Sequence, residues 1–463
     1  MGAAQRARGL PGARVHRRRP RSQGPGAGRL HGRGHRGPHA HGPLRPAGGA
    51  GRGRGVPGLR RGRLPDRHQR HRGRRLDRAR RLEAVNTGHA EIAGAGYAGL
   101  TIATLLARRG WTVTVHERSD AVREIGAGIF LHNNGLVVLE EAGLMEALAP
   151  KGTRLLRDRM VDHRGRLMQE RDLAVTRTRR WSFPRQAPLE VLHAAALAVG
   201  VEVRTRSVVR SATPEGALLT EDGERHPADL VIGADGYRSA VRTSLGLTRV
   251  ERRLPTTSIR FLLPGRQLSP EPMSTEYWSR RRRVALAASG PDHTYCYMAC
   301  PEGDAAGSEV PVHVDSWSDH FPRLGDLFQL LHRSEPYKAY YSWVQAHAWS
   351  RGKVALLGDA AHALPPTLGQ GSNLAMSNAR SLVTFLGRFD AVADALQAWE
   401  RAVRDTTEAT QRWARYYDLV TKYWPNPLSG VRSRIIWAFG ASPQLAARMR
   451  RADRTPPITE SAA

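Results

Sequence analysis

The stretch over residues 89–117, HAEIAGAGYAGLTIATLLARRGWTVTVHE, constrains the fold more strongly than any other part of the chain. A short apolar strand leads into Gly94-x-Gly96-x-x-Gly99, an amphipathic helical pattern follows, and a second strand pattern covers residues 112–116. A strand, a glycine turn, a helix and a strand in this order form the βαβ unit that binds dinucleotides. The stretch therefore predicts an α/β protein built on a Rossmann-like domain.

Each residue of this motif has a physical task. Gly94 permits a tight turn, Gly96 lets the backbone approach a pyrophosphate, and Gly99 lets the helix press against the sheet. The free N–H groups at the start of the helix favour phosphates. Glu117, 23 positions after the first glycine, is placed to accept hydrogen bonds from a ribose diol. No second fingerprint of this kind follows, so this site is predicted to hold the tightly bound cofactor.

Residues 1–86 differ from the rest of the chain in composition. They contain 24 Arg, no Lys and 3 acidic residues, which is +21 of the total net charge of +30. Because the segment has no aromatic residues and few large apolar ones, it cannot offset the cost of ordering its backbone and is predicted to be a disordered arm. The arm could contact nucleic acid through phosphates, but it lacks the aromatic residues that stack on bases, so we expect no nucleic-acid partner.

The arginine bias itself suggests another origin for this segment. The chain has 72 Lys and Arg together, and only four of them are Lys, which is typical of a GC-rich gene. A segment such as 1–86 is what upstream DNA looks like when it is translated outside its reading frame. Our hypothesis is that the natural start lies near Val85.

The cysteines and the apolar runs point to a cytoplasmic protein. Cys296 and Cys300 lie in TYCYMAC, a strand pattern in which they would stand about 13 Å apart, too far for a disulfide. No apolar run approaches the ~18 residues of a membrane span. The chain also contains no HExxH and no GxSxG, so we expect no catalytic metal and no nucleophile triad.

At two further strand ends, an aspartate follows an apolar strand pattern. ADLVIGADGYRSAVR, residues 228–242, places Asp235 after an apolar strand, which alone is only a turn signal. VALLGDAAHALPPTLGQGSNLAM, residues 354–376, places Asp359 after a buried strand and then stiffens the following loop with two prolines. A bound molecule is the expected reason for such a loop.

These motifs together resemble a known family. GAGYAG, GADGYRSAVR and GKVALLGDAAHALPPTLGQGSN, in this order, resemble the three signatures of the single-component (group A) FAD-dependent aromatic hydroxylases of the para-hydroxybenzoate hydroxylase type. The resemblance covers residues 89 to about 425. GWTVTVHERSDAVREIGAGIFLHNNGLVVLEEAGL is similar in particular to the branch of 2-methyl-3-hydroxypyridine-5-carboxylate oxygenase and methylnitrocatechol monooxygenase.

The resemblance implies how the chain is divided. A Rossmann-like FAD-binding domain of the glutathione reductase type is interleaved with a substrate domain that carries a mixed or antiparallel sheet, and C-terminal helices follow. We expect these helices to stop at Pro425 and the residues beyond 450 to be frayed. The expected segments are the arm at 1–86, FAD-binding parts at 87–250 and 351–390 with substrate-domain pieces near 150–190, a substrate-domain sheet at 251–350, and C-terminal helices and a tail at 391–463.

The resemblance also implies which residues surround the flavin. Asp359 would hold the ribityl chain of FAD, and Pro366 would lie on the reactive face of the isoalloxazine. Gly369, Gly371 and Asn373 mark a loop and a helix start whose N–H groups would stabilise the reduced flavin anion.

Three more cofactor residues are carried over in the same way. Arg118 and Arg185 match arginines that contact the sugar-phosphate portion of the cofactor. Asp235 matches an Asp-Gly motif that is associated with both FAD and the nicotinamide nucleotide. A departure from the family pattern precedes Arg185, where this chain has Phe183 and Pro184.

The implied reaction has two halves. NADH or NADPH acts as a transient co-substrate and reduces FAD, and O2 then forms a flavin C4a-hydroperoxide that hydroxylates the substrate. The substrate is expected to be a small aromatic compound, phenolic or hydroxypyridine-like and anionic. The protein itself must exclude water from the site.

The substrate residues are inferred from pattern and resemblance together. Arg260 alternates with apolar residues in SIRFLL, where a charge is costly unless it is paired with the substrate or with an internal carboxylate. The resemblance gives Arg260 a catalytic, substrate-binding role and places Phe130 near the ring, with ordinary core packing as the alternative for Phe130. His362 is either a general base or a structural partner of its loop. The run Arg280–Arg283 is interpreted as a solvated hairpin turn or a docking patch for nucleotide phosphates.

Three functions remain open at this point. The first is an FAD-dependent aromatic monooxygenase acting as a monomer or homodimer. The second is an FAD-dependent reductase, dehydrogenase or epoxidase of a polyketide or isoprenoid substrate. The third is a binding protein whose arm engages nucleic acid, and salt-sensitive binding lost with residues 1–86 would be its signature.

Overall fold

The computed structural model describes residues 87–123 and 126–460. The predicted disordered arm and the proposed start near Val85 lie outside these residues. In the described part of the chain, no helix combines the length and the apolar character needed to cross a membrane.

The described residues form an α/β protein with short connections. In chain order, the strands are β1 His89–Ala93, β2 Thr112–His116, β3 Gly128–His132, β4 Thr153–Arg154, β5 Arg157–Asp162, β6 Leu167–Asp172, β7 Arg180–Pro184, β8 Glu202–Arg204, β9 Val209–Thr213, β10 Ala217–Thr220, β11 Arg225–Pro227, β12 Leu230–Gly233, β13 Thr248–Pro264, β14 Met273–Ser279, β15 Arg282–Ser289, β16 His293–Pro301, β17 Tyr337–Ala346, β18 Ser350–Arg351 and β19 Val354–Leu356. The helices are α1 Tyr97–Ala107, α2 Asn133–Glu141, α3 Met145–Leu148, α4 Gln186–Ala198, α5 Ala240–Ser244, α6 Val314–His320, α7 Gly325–His332, α8 Asp359–His362, α9 Gly371–Leu386, α10 Val392–Lys422, α11 Ser429–Ala441, α12 Pro443–Met449 and α13 Arg451–Arg454.

A six-stranded sheet in the order β18-β19-β12-β1-β2-β8 carries the first motif. Strand β1 is central and pairs in parallel with both β2 and β12, and β12 pairs in parallel with β19. The register aligns Ala93 with His116 on one side and with Gly233 on the other. Because the carboxyl ends of parallel strands meet at one edge, the three loops that follow β1, β12 and β19 start from the same edge.

The core of this sheet explains why the sequence folds locally as predicted. Ile92, Val115 and Ile232 are fully buried on neighbouring strands, and Leu100 and Leu106 of α1 are fully buried against them. Strands that are apolar on both faces are typical of a parallel sheet covered by helices. The Rossmann-like prediction is confirmed.

A second large sheet has seven strands. Its order is β17-β13-β16-β15-β14-β5-β6, with antiparallel pairs except for the parallel pair of β14 and β5. The predicted mixed or antiparallel sheet is confirmed, and SIRFLLP and VALAAS lie in β13 and β15. Cys296 and Cys300 are free, buried thiols on β16. The exact division into domains stays a prediction.

The C-terminal region corrects one expectation. The 31-residue helix α10 ends at Lys422, before Pro425, but three more helices follow it. Residues 451–460 are not frayed: the backbone N–H of Asn133 donates to Asp453 at 2.9 Å, and that of Ile458 donates to Ser381 at 3.0 Å. These contacts join positions more than 70 residues apart, so local sequence gives no signal for them.

Candidate active site

The glycine turn after β1 has a geometry that requires glycine at two positions. Gly94 has a φ of +98°, and a Cβ there would overlap the carbonyl oxygen of Ala234. A Cβ at Gly99 would overlap the carbonyl oxygen of Gly94, because α1 lies directly on β1. A Cβ at Gly96 would meet nothing within 4 Å. Gly94 and Gly99 therefore satisfy packing, whereas Gly96 leaves open space at the start of α1.

Glu117 is held at the end of β2 by two backbone donors. The N–H of Ala95 donates to Glu117 Oε2 at 3.0 Å, and the N–H of Ser119 donates to Oε1 at 2.9 Å. The carboxylate is therefore fixed beside the glycine turn, and its remaining lone pairs can accept further hydrogen bonds. Arg118, the next residue, is exposed.

A buried polar cluster supports the strand end that carries Glu117. Glu91 Oε2 lies 2.6 Å from His116 Nε2, Glu91 Oε1 lies 2.8 Å from His89 Nε2, and His116 Nδ1 lies 2.7 Å from Ser207 Oγ. Burial alone would raise the pKa of Glu91, but its hydrogen bonds with His116 and His89 outweigh burial and lower that pKa. The cluster thus keeps a charged carboxylate inside the sheet.

The same cluster contains residue types that can bind metal. Ligand atoms of Glu91, His116 and His226 lie within 4.8 Å of one another. Because both oxygens of Glu91 and both ring nitrogens of His116 already have hydrogen-bond partners, the geometry is that of a hydrogen-bonded support.

The second corner follows β12. Asp235 Oδ2 accepts hydrogen bonds from the N–H groups of Ala240 and Val241 at 2.8 and 3.2 Å. Its other oxygen, Oδ1, is buried and accepts no hydrogen bond from the described residues. Burial raises the pKa of Asp235 in spite of the hydrogen bonds that it accepts. An unsatisfied carboxylate oxygen at a strand end is a position where a ligand hydroxyl or N–H group fits.

The third corner follows β19. Gly358 has a φ of +60°, and Asp359 begins the short helix α8 with its side chain exposed. Pro366 begins a single 3₁₀ turn that ends at Gly369, where φ is +63°. Gly371 then begins α9, so several backbone N–H groups without helical partners converge at this loop.

Asn373 has a structural position behind this loop. Its side chain is fully buried and donates to the carbonyl oxygens of Phe130 and Gly369 at 3.0 and 2.8 Å. Its Oδ1 accepts from the N–H of His132 at 2.8 Å. Asn373 therefore fastens β3 to the loop that contains Pro366.

One cavity of about 1110 Å³ joins the three corners. This exceeds the volume of a pocket for one drug-sized ligand, so it has room for a dinucleotide and a second small molecule. Gly99 and Asn373 lie outside the lining. The predicted site residues that line the cavity are Gly94, Gly96, Glu117, Arg118, Phe130, Arg185, Asp235, Arg260, Asp359, Pro366, Gly369 and Gly371.

Phe130 of β3 and Arg185 at the start of α4 line the cavity. The hydroxyl of Tyr97 donates to the carbonyl oxygen of Arg185 at 2.6 Å, and the Arg185 guanidinium lies 5.9 Å from the Tyr97 ring. Phe130 packs edge-on against Tyr295 at 5.7 Å between ring centroids and remains partly exposed. Both side chains therefore contribute surface to the cavity in addition to packing.

Arg260 reaches the cavity from β13. Its guanidinium lies 5.8 Å from the Tyr297 ring, and its buried Nε has no hydrogen-bond partner. Across residues 87–123 and 126–460, no carboxylate forms an ion pair with Arg260, so the internal salt bridge considered from the sequence is not found. A charged side chain that lines a cavity and has no internal carboxylate partner favours an acidic ligand at this position.

The structure corrects the interpretation of the arginine run Arg280–Arg283 at the β14–β15 turn. The turn itself is solvated at Arg280 and Arg281, but Arg282 and Arg283 are only 4% and 3% exposed. Arg282 forms a bidentate ion pair with Asp304, with both N–O distances 2.7 Å. The interpretation of the whole run as solvated is therefore wrong. Strand β15 begins at Arg282, and the side chains of Arg282 and Arg283 are both buried in the protein.

Arg283 belongs to a network on the cavity wall that sequence reasoning missed. It donates to Glu276 at 3.1 Å and to Tyr341 at 3.0 Å, and the Tyr417 hydroxyl donates to Glu276 at 2.9 Å. Burial raises the pKa of Tyr341, so its hydroxyl keeps its proton. The only sequence signal is the period-2 pattern of β15, which places Arg283 on the same face as Ala285.

His362 lies outside the cavity lining. It is buried, and its Nε2 lies 3.2 Å from Asn378 Nδ2. Burial lowers the pKa of His362 to about 4, so the ring is neutral. The side chain of Asn378 thus serves this buried contact.

Comparison with known proteins decides the family. The family model of the FAD binding domain matches residues 88–413, which is more than half of the chain. The chain belongs to the FAD binding domain family. It is an FAD-dependent monooxygenase of the aromatic-hydroxylase type, as the sequence predicts, and FAD is its cofactor. NAD(P)H is the typical reductant of these monooxygenases.

Three known proteins are similar to this chain in sequence or in fold. The 2-heptyl-3-hydroxy-4(1H)-quinolone synthase of Mycobacteroides abscessus is 34% identical over 71% of this chain and 89% of its own length. The structure of 2-methyl-3-hydroxypyridine-5-carboxylic acid oxygenase in a tetrameric form has a TM-score of 0.70 and 30% identity, covering 80% of this chain and 97% of the other. HpxO of Klebsiella pneumoniae, complexed with FAD and uric acid, has a TM-score of 0.69 and 23% identity over 80% and 98%, and it shows the shared fold.

Proposed function

We propose that this FAD-dependent monooxygenase hydroxylates a phenolic or hydroxypyridine-like ring that carries an acidic group. The overall reaction would convert a ring C–H bond, O2, NAD(P)H and H⁺ into a ring C–OH group, water and NAD(P)⁺. The proposed ring class agrees with the names of two similar proteins, which contain a quinolone and a hydroxypyridine.

The observation that carries the substrate proposal is the position of the Arg260 guanidinium. It lines the cavity beside Tyr297, and no carboxylate of the described residues forms an ion pair with it. A charged donor in this state is stabilised by an acceptor on the ligand. A carboxylate or phenolate of the substrate supplies such an acceptor.

The chain has a suitable place for each part of FAD. Open space at Gly96 accommodates a pyrophosphate next to the N–H groups of α1, and Glu117 can accept from the adenosine ribose. The unsatisfied Oδ1 of Asp235 can accept a further hydrogen bond from the cofactor. The remaining assignments are Arg118 and Arg185 for the sugar-phosphate portion, Asp359 for the ribityl chain, and Gly369, Gly371 and the helix start near Asn373 for the flavin ring.

The protein's own contribution is orientation and exclusion of water. Bound FAD supplies the hydride acceptor and the activation of O2. Pro366 fixes the loop at the proposed flavin face, and Asn373 fastens that loop to β3 through the carbonyl oxygen of Gly369. Phe130 and Tyr295 present apolar surface where water would otherwise enter. Arg260 would orient the substrate by its charge.

The test uses the full chain loaded with FAD. NAD(P)H oxidation would be measured with hydroxypyridine carboxylates, 4(1H)-quinolones and phenols, and the products would be analysed after reaction under ¹⁸O2. We expect ring-stimulated oxidation and one labelled oxygen atom in the product. Oxidation or reduction of a substrate without label would instead support the reductase or dehydrogenase alternative, and a chain that binds no FAD would contradict the cofactor assignments.

We also infer a cytoplasmic location and a monomeric or homodimeric state. The two cysteines are free thiols, which suits a reducing compartment. Fractionation of the native host tests the location, and light scattering of the FAD-loaded chain tests the oligomeric state.

A further inference from the structure

Part of the cavity is not accounted for by the cofactor corners or by Arg260. We call it the apolar lobe, and its walls come from the C-terminal helices. The residues that define it are Trp413, Val420, Trp424, Ile435, Leu445 and Met449.

Two of the residues that define the lobe lie at helical spacing on α10. Trp413 and Val420 are seven residues apart on α10, and Trp424 follows four positions later, just after the helix ends. The spacing of seven places Trp413 and Val420 on one face of α10. Ile435 of α11 and Leu445 of α12 complete the wall.

The apolar surface of the lobe is left uncovered by the protein. Val420 is 38% exposed and Ile435 is 37% exposed, although both line the cavity. Aliphatic side chains that line an open cavity gain free energy when an apolar ligand displaces water from them. The surface is therefore suited to an apolar ligand group.

The lobe opens beside the place where the ring is expected to react. Thr367, next to Pro366, donates to the carbonyl oxygen of Ala414 on α10 at 2.8 Å. On the same helix, Tyr417 packs edge-on against Trp278 of β14 at 5.3 Å and donates to Glu276. A substituent on a ring held at Arg260 thus has an adjacent apolar compartment.

We propose that the apolar lobe binds an extended aliphatic substituent of the aromatic substrate. This rests on the proposed function, because the ring must lie between the flavin corner and Arg260. The charged wall of the cavity would then hold the acidic ring, and the lobe would hold the chain. Each methylene buried there is expected to raise affinity about three- to fourfold.

The experiment measures the affinity of the full, FAD-loaded chain for two ring series. The probes are 4(1H)-quinolones with a 2-methyl, 2-propyl or 2-heptyl group and phenols with the same 4-alkyl groups, titrated by the change in flavin absorbance. We expect the dissociation constant to fall as the alkyl chain lengthens. Affinities that do not depend on chain length in either series would overturn the proposal.

A matched pair of variants on α11 locates the effect. Ile435→Asn changes a lobe residue, and Val431→Asn changes a residue that is 47% exposed and lies outside the cavity lining. Ile435→Asn should weaken binding of the heptyl probes about tenfold and leave the methyl probes unchanged, whereas Val431→Asn should change neither. Equal weakening of methyl and heptyl probes by Ile435→Asn would overturn the assignment of the lobe.

Hydroxylation is scored separately in the same samples. Chain-dependent binding without a hydroxylated product would contradict the proposed function and leave the lobe assignment in place. Hydroxylation with no dependence of affinity on alkyl chain length would support the proposed function and overturn the lobe assignment.

Discussion

The two sides of the cavity are built by different means. The cofactor side, at residues 94–99, 235–236 and 358–371, depends on backbone geometry at the ends of parallel strands. The substrate side, at Arg260 and the network around Arg283, depends on charged side chains from an antiparallel sheet and a helix. A strand end with glycine leaves a local sequence pattern, whereas a side-chain network leaves almost none.

The difference also concerns how each side responds to change. On the cofactor side, an added Cβ at Gly99 meets backbone atoms that cannot move without breaking β1 and α1. On the substrate side, loss of one charge leaves its partner buried and unpaired. Both sides should be sensitive to substitution. On the cofactor side the cause is overlap with backbone atoms, and on the substrate side it is the loss of a charge partner.

The largest expected effect is on the cofactor side. In Gly99→Val the new side chain overlaps the carbonyl oxygen of Gly94, and we expect about 4 kcal/mol or more of destabilisation. The variant should therefore lack bound FAD. Melting followed by circular dichroism and the ratio of flavin to protein absorbance measure the two outcomes.

Gly96→Ala is the matched control on the same turn. Gly96 has a φ of −83° and open space around its Cβ position, so alanine fits the fold. We expect the melting temperature without FAD to change by less than about 2 °C and FAD affinity to fall about tenfold. Unchanged FAD affinity would remove Gly96 from the pyrophosphate site.

The next largest effect concerns the Arg283–Glu276 ion pair on the substrate side of the cavity. Arg283→Met should destabilise the protein by about 3 kcal/mol, because Glu276 would remain charged inside the cavity wall. Adding Glu276→Gln to Arg283→Met should recover part of this loss. Urea unfolding of both single variants and the double variant measures the coupling, and strictly additive changes would show that the pair does not act as a unit.

Arg260 tests the link between the substrate side and catalysis. Arg260→Gln should raise the KM for an anionic substrate about 10- to 100-fold, since a hydrogen bond to a charged group contributes about 1.5–3 kcal/mol. Arg252→Gln, on an exposed position of the same strand, is the control and should leave KM unchanged. Steady-state NAD(P)H oxidation measures both, and an unchanged KM for Arg260→Gln would exclude Arg260 from the substrate site.

The smallest expected effect returns to the cofactor side. The lowered pKa of Glu91 means that its charge stabilises the fold above the usual carboxyl pKa of 4.5 and that this stabilisation is lost as the pH falls below it. Glu91→Gln should therefore cost about 1 kcal/mol near neutral pH and progressively less toward acid pH. Urea unfolding at several pH values measures the difference, and a cost independent of pH would show that the charge of Glu91 is not involved.

The sequence predicts that the strand ends on the cofactor side come together, because its signals there are local. Gly94, Glu117, Asp235 and Asp359 each follow an apolar strand pattern, and the parallel arrangement brings these strand ends to one edge. The cavity joins these four positions. Their individual contacts with FAD stay predictions.

The substrate side leaves weaker signals in the local sequence, for a physical reason. Arg283 lies in a run of arginines that is typical of a solvated turn, yet Tyr341 and Tyr417, 58 and 134 positions away, complete its buried network. The packing of Asp453 against Asn133 likewise joins residues 320 positions apart. No local pattern reports such pairings.

By itself, the sequence determined the βαβ unit, the three strand-end motifs and the class of cofactor, because glycine and carboxylate requirements at strand ends follow from backbone geometry. Only the tertiary structure decided which charges are buried, which arginine lacks an internal partner, and that the C-terminal helices form an apolar lobe. Those properties depend on the neighbours that distant segments supply, and burial is a property of the whole packed molecule.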